Sequence, residues 1–194
     1  MTETTSSPRA GVIVGLTGKF AAGKGTVADL LVKRGFAYHS LSDVIREELK
    51  AREIAESREN LTEVGNSLRR ERGPAALAIM IRDRLLDGRD HIVDSIRNPA
   101  EVEVLKLLPG FFLVGVDARR ELRFERLLAR NRQGDPTTFE QFCALEDRET
   151  TSTDPTTQQL AATWRSVDEF LNNDGGRDGL EHRLTSLLDK RSLA

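Results

Sequence analysis

Residues 11–27, GVIVGLTGKFAAGKGTV, constrain the fold more than any other stretch of the chain. Val12, Ile13, Val14 and Leu16 read as an apolar strand, Gly18 to Gly25 as a glycine-rich turn, and the residues after it as a helix. The spacing Gly18-x4-Gly23-Lys24 is that of a phosphate-binding loop. Glycines let backbone N–H groups turn inward around phosphate oxygens with no Cβ in the way. The helix that follows points its positive dipole end at the same anion, and Lys24 adds a mobile positive charge. The residue directly after that lysine is Gly25 rather than the usual Ser or Thr; Thr26 stands one place later, so the loop closes on Gly-Lys-Gly-Thr.

A chain of 194 residues suffices for one domain with one real core. A content of 38% hydrophobic and 31% charged residues is that of an ordinary soluble protein. The formal charge of −2 gives no general affinity for nucleic acid or an acidic membrane surface. Six of the 29 basic residues are lysines; the rest are arginines, which suit two-pronged phosphate recognition. Cys143 is the single cysteine, which excludes an internal disulfide and a cysteine-based zinc site and fits a reducing cytoplasm. Residues 1–10 are polar, without the apolar segment of a secretory signal, and read as a disordered tail. No apolar run approaches the roughly 20 residues of a membrane helix. The expected setting is cytoplasmic and the expected partner a small molecule, with no nucleic acid and no membrane. Nothing in the pattern fixes an oligomeric state.

A helix over 26–34, stopped by Gly35, and a short strand over 36–39 complete a βαβ unit, which builds parallel sheets. Ser40 stands where it caps a helix with Leu41, Val44, Ile45 and Leu49 on one side and Asp43, Arg46 and Lys50 on the other. A second helix over 60–70 turns Leu61, Val64 and Leu68 inward and Arg69 and Arg70 outward, and a third covers 75–86. That is more than a plain crossover needs, so residues 41–73 read as an inserted helical flap. Residues 91–94 form a brief buried strand ending in Asp94, and Asn98 with Pro99 opens the next helix. Residues 111–118 form the strongest strand; Asp117 at its end is expected to cap the helix over 119–132, where Arg123, Arg126 and Arg130 share a face. A helix over 139–148 opened by Thr137 or Thr138, a polar stretch over 149–157, a weak strand over 166–171 and a closing helix over 180–188 follow. The expected class is α/β: a three-layer sandwich around a parallel sheet of about five strands. Residues 11–194 read as one domain, with the flap at 41–73 and a short helical lid at about 131–157.

Ligands of such a sheet bind outside the carboxyl ends of its strands. Lys24 follows the first strand, Asp43 and Arg46 the second, and Asp94 and Arg97 the third. Arg126, Arg130, Arg132 and Arg148 lie on later elements able to close over that edge. Phosphoryl transfer needs this set: positioned phosphates, and cations that neutralise oxygens as charge shifts between them. Asp43 with Arg46 also fits a solvated helical pair, and the three arginines of 119–132 a solvated face. His39, His91 and His182 lack any ligand spacing, and Trp164 reads as packing.

A loop ending GKGT, followed in order by SDVIRE, VDSIR, VDA-x7-R-x3-R and NNDGG, resembles the nucleoside monophosphate kinases over about residues 11–176. The pattern is most similar to the small dephospho-CoA-kinase-like nucleotide kinases and to kinase-like domains fused to some deoxycytidylate deaminases. The resemblance implies ATP as donor and Mg²⁺ as its metal. It assigns Gly18, Ala21, Ala22, Gly23, Lys24, Gly25 and Thr26 to the donor phosphates, and Thr26 and Asp94 to the metal. It assigns Ser40, Asp43, Arg46 and Arg97 to a nucleotide acceptor, and Arg126, Asn173 and Gly175 to the donor base. Lys24, Arg97, Arg130 and Arg132 fall to the transferring group. The short lid lacks a zinc site, and TWRSVDEF before NNDGG departs from the pattern.

The leading expectation is an ATP-dependent kinase acting on a nucleoside or deoxynucleoside monophosphate. Transfer to a hydroxyl, with Asp43 or Asp94 as base, is a second reading. A nucleotide-sensing module that hardly turns over is a third. An ATPase motor fits poorly with the small size and the acceptor-side arginines.

Overall fold

The computed structural model describes residues 11–131, 134–150 and 153–192, the side chains of 148–150 and 192 excepted. The tail over 1–10, Arg132 and the Arg148 side chain, all named from the sequence, lie outside the described residues. Strands β1 (Ile13–Thr17), β2 (Ala37–Ser40), β3 (His91–Asp94), β4 (Phe111–Asp117) and β5 (Glu169–Asn172) form one parallel sheet in the order β2-β3-β1-β4-β5. β1 lies at the centre, with β3 on one side and β4 on the other. The chain's progression therefore reverses beside the carboxyl end of β1, where such sheets open a crevice.

Alternation along the central strands divides the core. Val14, Ile92 and Phe112 pack against α1 (Lys24–Val32) and the closing helix α9 (Gly176–Ser192). Ile13, Val93 and Leu113 pack with α2 (Leu41–Ala51), α3 (Arg58–Arg72), α4 (Ala76–Ile81) and α5 (Pro99–Leu105). A sheet buried on both faces explains why its central strands are continuous apolar runs rather than alternating ones. The result is a three-layer α/β sandwich. Among the described residues, α6 (Arg120–Arg130), α7 (Phe139–Thr150) and α8 (Leu160–Trp164) complete the α-helices, a 3₁₀ turn over Arg82–Leu85 replaces the end of the helix expected over 75–86, and no helix is long and apolar enough to cross a membrane.

Ser40 accepts the Ser42 N–H across the start of α2, and Ser57 accepts that of Asn60 at the start of α3. α5 opens with a full capping box, Asn98 accepting from the helix backbone and Glu101 from the Asn98 N–H. Three details differ from the sequence reading. Arg69 is buried, because Gly65 one turn earlier on α3 leaves room along the same face for its guanidinium. Asp117 does not cap α6: its carboxylate turns to the Ala118 N–H, and Asp174 accepts the Arg119 N–H instead. The last strand lies at Glu169–Asn172, and α8 occupies residues left unassigned before it.

The Arg69 guanidinium donates to Glu101 Oε1 from Nε at 3.1 Å and Nη2 at 2.7 Å, with both side chains at most 3% exposed. Glu101 Oε2 accepts the N–H groups of Arg97 and Asn98. One buried carboxylate thus ties α3 to the loop after β3. Arg69→Met, which strands that charge, is expected to lower the unfolding free energy by about 3–5 kcal/mol in urea titration. A loss below about 1 kcal/mol would contradict the coupling.

Candidate active site

Between Thr17 and Lys24 the backbone takes conformations that favour glycine. Gly18 has φ +145°, and a Cβ there would collide with the Val116 carbonyl oxygen. Gly23 has φ +105°, and a Cβ there would strike Asn173 Nδ2; Ala21 is itself left-handed at φ 58°. A loop that gives its N–H groups to an anion leaves its carbonyls needing other donors. Lys24 Nζ donates to the carbonyls of Gly18 (2.8 Å) and Lys19 (3.2 Å), Arg123 Nη1 to that of Phe20 (3.3 Å), and Asn173 Nδ2 to that of Ala22 (2.9 Å).

The loop forms one wall of a cleft of about 1170 Å³. Into it converge Ala21, Ala22, Gly23, Lys24, Gly25, Thr26, Ser40, Arg46, Asp94, Arg97, Arg126, Arg130 and Asn173. Gly18, Asp43 and Gly175 are not among the lining residues. Gly18 is pressed against β4 and Asp43 pairs with Arg46 at 2.7 Å on the outer side of α2. In place of Gly175 the turn offers Gly176 and Arg177.

On the α2 side, Arg46 also donates from Nε to Glu56 Oε1 at 2.9 Å; burial alone would lower its pKa, but bonds to Glu56 and Asp43 raise it. At the end of β3, Asp94 Oδ1 accepts the Ser95 N–H at 2.6 Å, and Ser95 sits at φ 66°. Arg97 Nη1 donates to Gln158 Oε1 at 2.9 Å. Asn98 Nδ2 donates to the carbonyls of Pro155 and Thr157, and Gln159 N–H to that of Arg97, so the segment leading into α8 is sewn to this loop.

On the α6–α7 side, Arg123 and Glu146 form a buried pair at 2.6 Å. Burial alone would raise the Glu146 carboxyl, but the Arg123 guanidinium outweighs it and holds the group below the usual carboxylate range. Arg126 Nη2 donates to the Asn173 carbonyl at 2.7 Å, while its Nη1 is buried without a hydrogen-bond partner. A buried, unpartnered guanidinium nitrogen on a cleft wall is suited to an electron-rich ligand group. Arg130 holds Asp135 through Nε at 2.8 Å and Nη2 at 3.2 Å.

The pattern of the AAA domain family matches residues 14–151. A UPF0200 protein of Pyrobaculum aerophilum is 35% identical over 138 residues, 71% of this chain and 76% of the relative. One from Methanoregula boonei is 33% identical over 179 residues, 91% of this chain and 95% of the relative. The chain belongs to the UPF0200 family and carries an AAA domain. Shikimate kinase from Bacteroides thetaiotaomicron superposes with a TM-score of 0.56 at 16% identity, over 92% of this chain and 97% of that one. A gluconokinase from Sinorhizobium meliloti gives 0.51 at 12% identity, over 95% and 98%. The UPF0200 chain thus has a P-loop kinase-like fold.

Sequence reasoning missed Tyr38, Arg58, Asp135 and Gln158 in this UPF0200 cleft, whose lining also holds Arg69, read from sequence as facing substrate or solvent. Position in the chain offered a signal for Tyr38, which stands two residues before the carboxyl end of β2. Its hydroxyl donates to Asp94 Oδ2 at 3.2 Å, and its pKa is pushed up to about 12, first by burial and then by the Asp94 charge. A folded pKa above the unfolded value of 10.0 means that this contribution to stability is complete below pH 10 and lost as pH rises through about 12. Tyr38 is the sole tyrosine, so tyrosinate absorbance reports it directly. The folded protein is expected to titrate near pH 12, and Asp94→Asn to titrate lower but still above 10, because burial persists. A midpoint near 10 in the folded wild type would contradict the hydrogen-bonded placement.

Proposed function

We propose that this protein transfers the terminal phosphoryl group of Mg·ATP to a nucleoside or deoxynucleoside monophosphate. The observation that carries the reading is the arrangement of cations in one cleft. The phosphate loop with Lys24 forms its base, Arg46 and Arg97 reach it from the flap side, and Arg126 and Arg130 from the lid side. A donor phosphate chain and an acceptor phosphate meeting over the loop would each find positive charge already in place.

In this reading the loop amides and Lys24 hold the donor phosphates, the ammonium leaving the Gly18 and Lys19 carbonyls to do so. Arg126 turns its unpartnered Nη1 to the donor nucleoside. Arg97 and Arg46 take the acceptor phosphate, and Ser40 orients its sugar side. Arg130 neutralises the group in transit, with Arg132 assigned the same task. Thr26 and Asp94 are the oxygen donors in the cleft that suit Mg²⁺, which takes few protein ligands alongside phosphate oxygens and water. Mg²⁺, when bound, supplies the charge that draws electrons toward the leaving phosphate. The α2–α3 insertion acts as acceptor flap and the α6–α7 region as lid. The acceptor monophosphate is already an anion and needs no general base.

A hydroxyl acceptor is the second reading, favoured by Asp94, a carboxylate at the carboxyl end of β3 that opens into the cleft. A coupled ADP-release assay with Mg·ATP across all nucleoside and deoxynucleoside monophosphates, dephospho-CoA and simple polyols separates the readings. Turnover on a monophosphate is the expected result; turnover confined to hydroxyl acceptors replaces the substrate. Silence with nucleotide binding intact moves the reading to a nucleotide sensor. Lys24→Ala is expected to cut turnover by at least about 10²–10³-fold without changing the circular-dichroism spectrum. Unchanged turnover in that variant rejects the site.

A further inference from the structure

Glycine-rich phosphate loops favour small residues, yet this one carries a phenylalanine between Gly18 and Gly23. The Phe20 ring lines the cleft and is the platform for two guanidinium groups: Arg130 stands over it at 4.3 Å from the ring centre and Arg58 at 4.4 Å. The two come from opposite ends of the cleft's cover. Arg130 closes α6 on the lid side, whereas Arg58 opens α3 in the flap, just after Ser57 caps that helix. Phe20 also neighbours Lys19, whose carbonyl receives the Lys24 ammonium. The loop therefore gathers cations from two separate helices around the place where its own lysine charge lies.

Bringing like charges together is unfavourable unless an anion, or an aromatic face, offsets the repulsion. Asp135 balances Arg130 through two hydrogen bonds, while Arg58 is held over the ring beside them. Neither the phosphate-loop spacing nor the arginine pattern after β4 accounts for Arg58, because it lies on the inserted flap.

We infer that Arg58 is a binding residue for the terminal phosphate of a bound nucleoside triphosphate, and that Phe20 is the positioning residue that holds its guanidinium beside the loop. This rests on the nucleotide-donor reading above. A nucleoside diphosphate ends one phosphate sooner, so Arg58 discriminates between the two nucleotides while the loop amides and Lys24 serve both.

Calorimetric titration of the full chain with ATP and with ADP, each with Mg²⁺, tests this without any acceptor. Arg58→Met is expected to weaken ATP about tenfold or more while leaving ADP unchanged, the size of a charge-assisted hydrogen bond. Phe20→Leu, which keeps an apolar side chain and removes the ring face, is expected to weaken ATP selectively by a smaller factor; Phe20→Tyr restores wild-type values. Equal losses for ATP and ADP, or no loss in Arg58→Met, overturn the inference while the donor site stands. Wild-type protein that binds neither nucleotide overturns the donor-site reading and this inference with it. Thermal melts of each variant confirm that the affinities belong to folded protein.

Discussion

The phosphate loop does not hold its shape alone. A backbone that gives its N–H groups to a ligand must find donors for its carbonyls, and here those donors are the loop's own lysine and two side chains far along the chain. Lys24 lies on α1, Arg123 on α6 and Asn173 just beyond β5. Asn173 is itself fixed on the backbone, its N–H donating to the Asp117 carbonyl and its carbonyl accepting from Arg126. Arg123 is fixed by Glu146, which also draws Lys19 to within 3.6 Å. The loop's conformation is therefore an outcome of how β4, α6, α7 and β5 pack, and those elements are what the remainder of the chain stabilises.

A similar economy governs the other wall of the cleft. Glu101 is fully buried, yet every polar demand it makes is met by Arg69, Arg97 and Asn98. Buried charges tolerate this only when paired and hydrogen-bonded. Because Arg69 lies on α3 and the other partners on the loop after β3, the pair joins α3 to the Arg97 backbone. The Arg97 side chain is set from the opposite direction by Gln158. This wall of the cleft is thus built from three separate segments that meet only in the folded chain.

Much of this was legible in the sequence where a short-range rule applied. The strand–loop–helix of residues 11–27 and the apolar faces of α2 and α3 follow from periodicity, the Ser40 cap from its place before an apolar helix face, and the start of α5 from Asn98 and Pro99. The parallel sheet follows from alternating elements. What stayed hidden depends on long-range contacts. Asn173 belonged to a turn expected to meet the donor base through its backbone, but the structure also spends its side chain on the Ala22 carbonyl, 151 residues away. Arg69 looked like surface charge because its partner lies 32 residues on, and Arg58 because the helix was expected to begin two residues later. β5 was weak in sequence because it is a four-residue edge strand with Phe170 largely exposed against Trp164.

Under the proposed reading a terminal phosphoryl group has two fates, an acceptor or water, and that reading takes the acceptor. Following label from ATP carrying a radioactive γ-phosphate, in the presence of the pooled monophosphates, decides between them. The account predicts label recovered in a nucleoside diphosphate, with free inorganic phosphate a minor product. Label released only as inorganic phosphate, at the same rate with and without monophosphates, would contradict it.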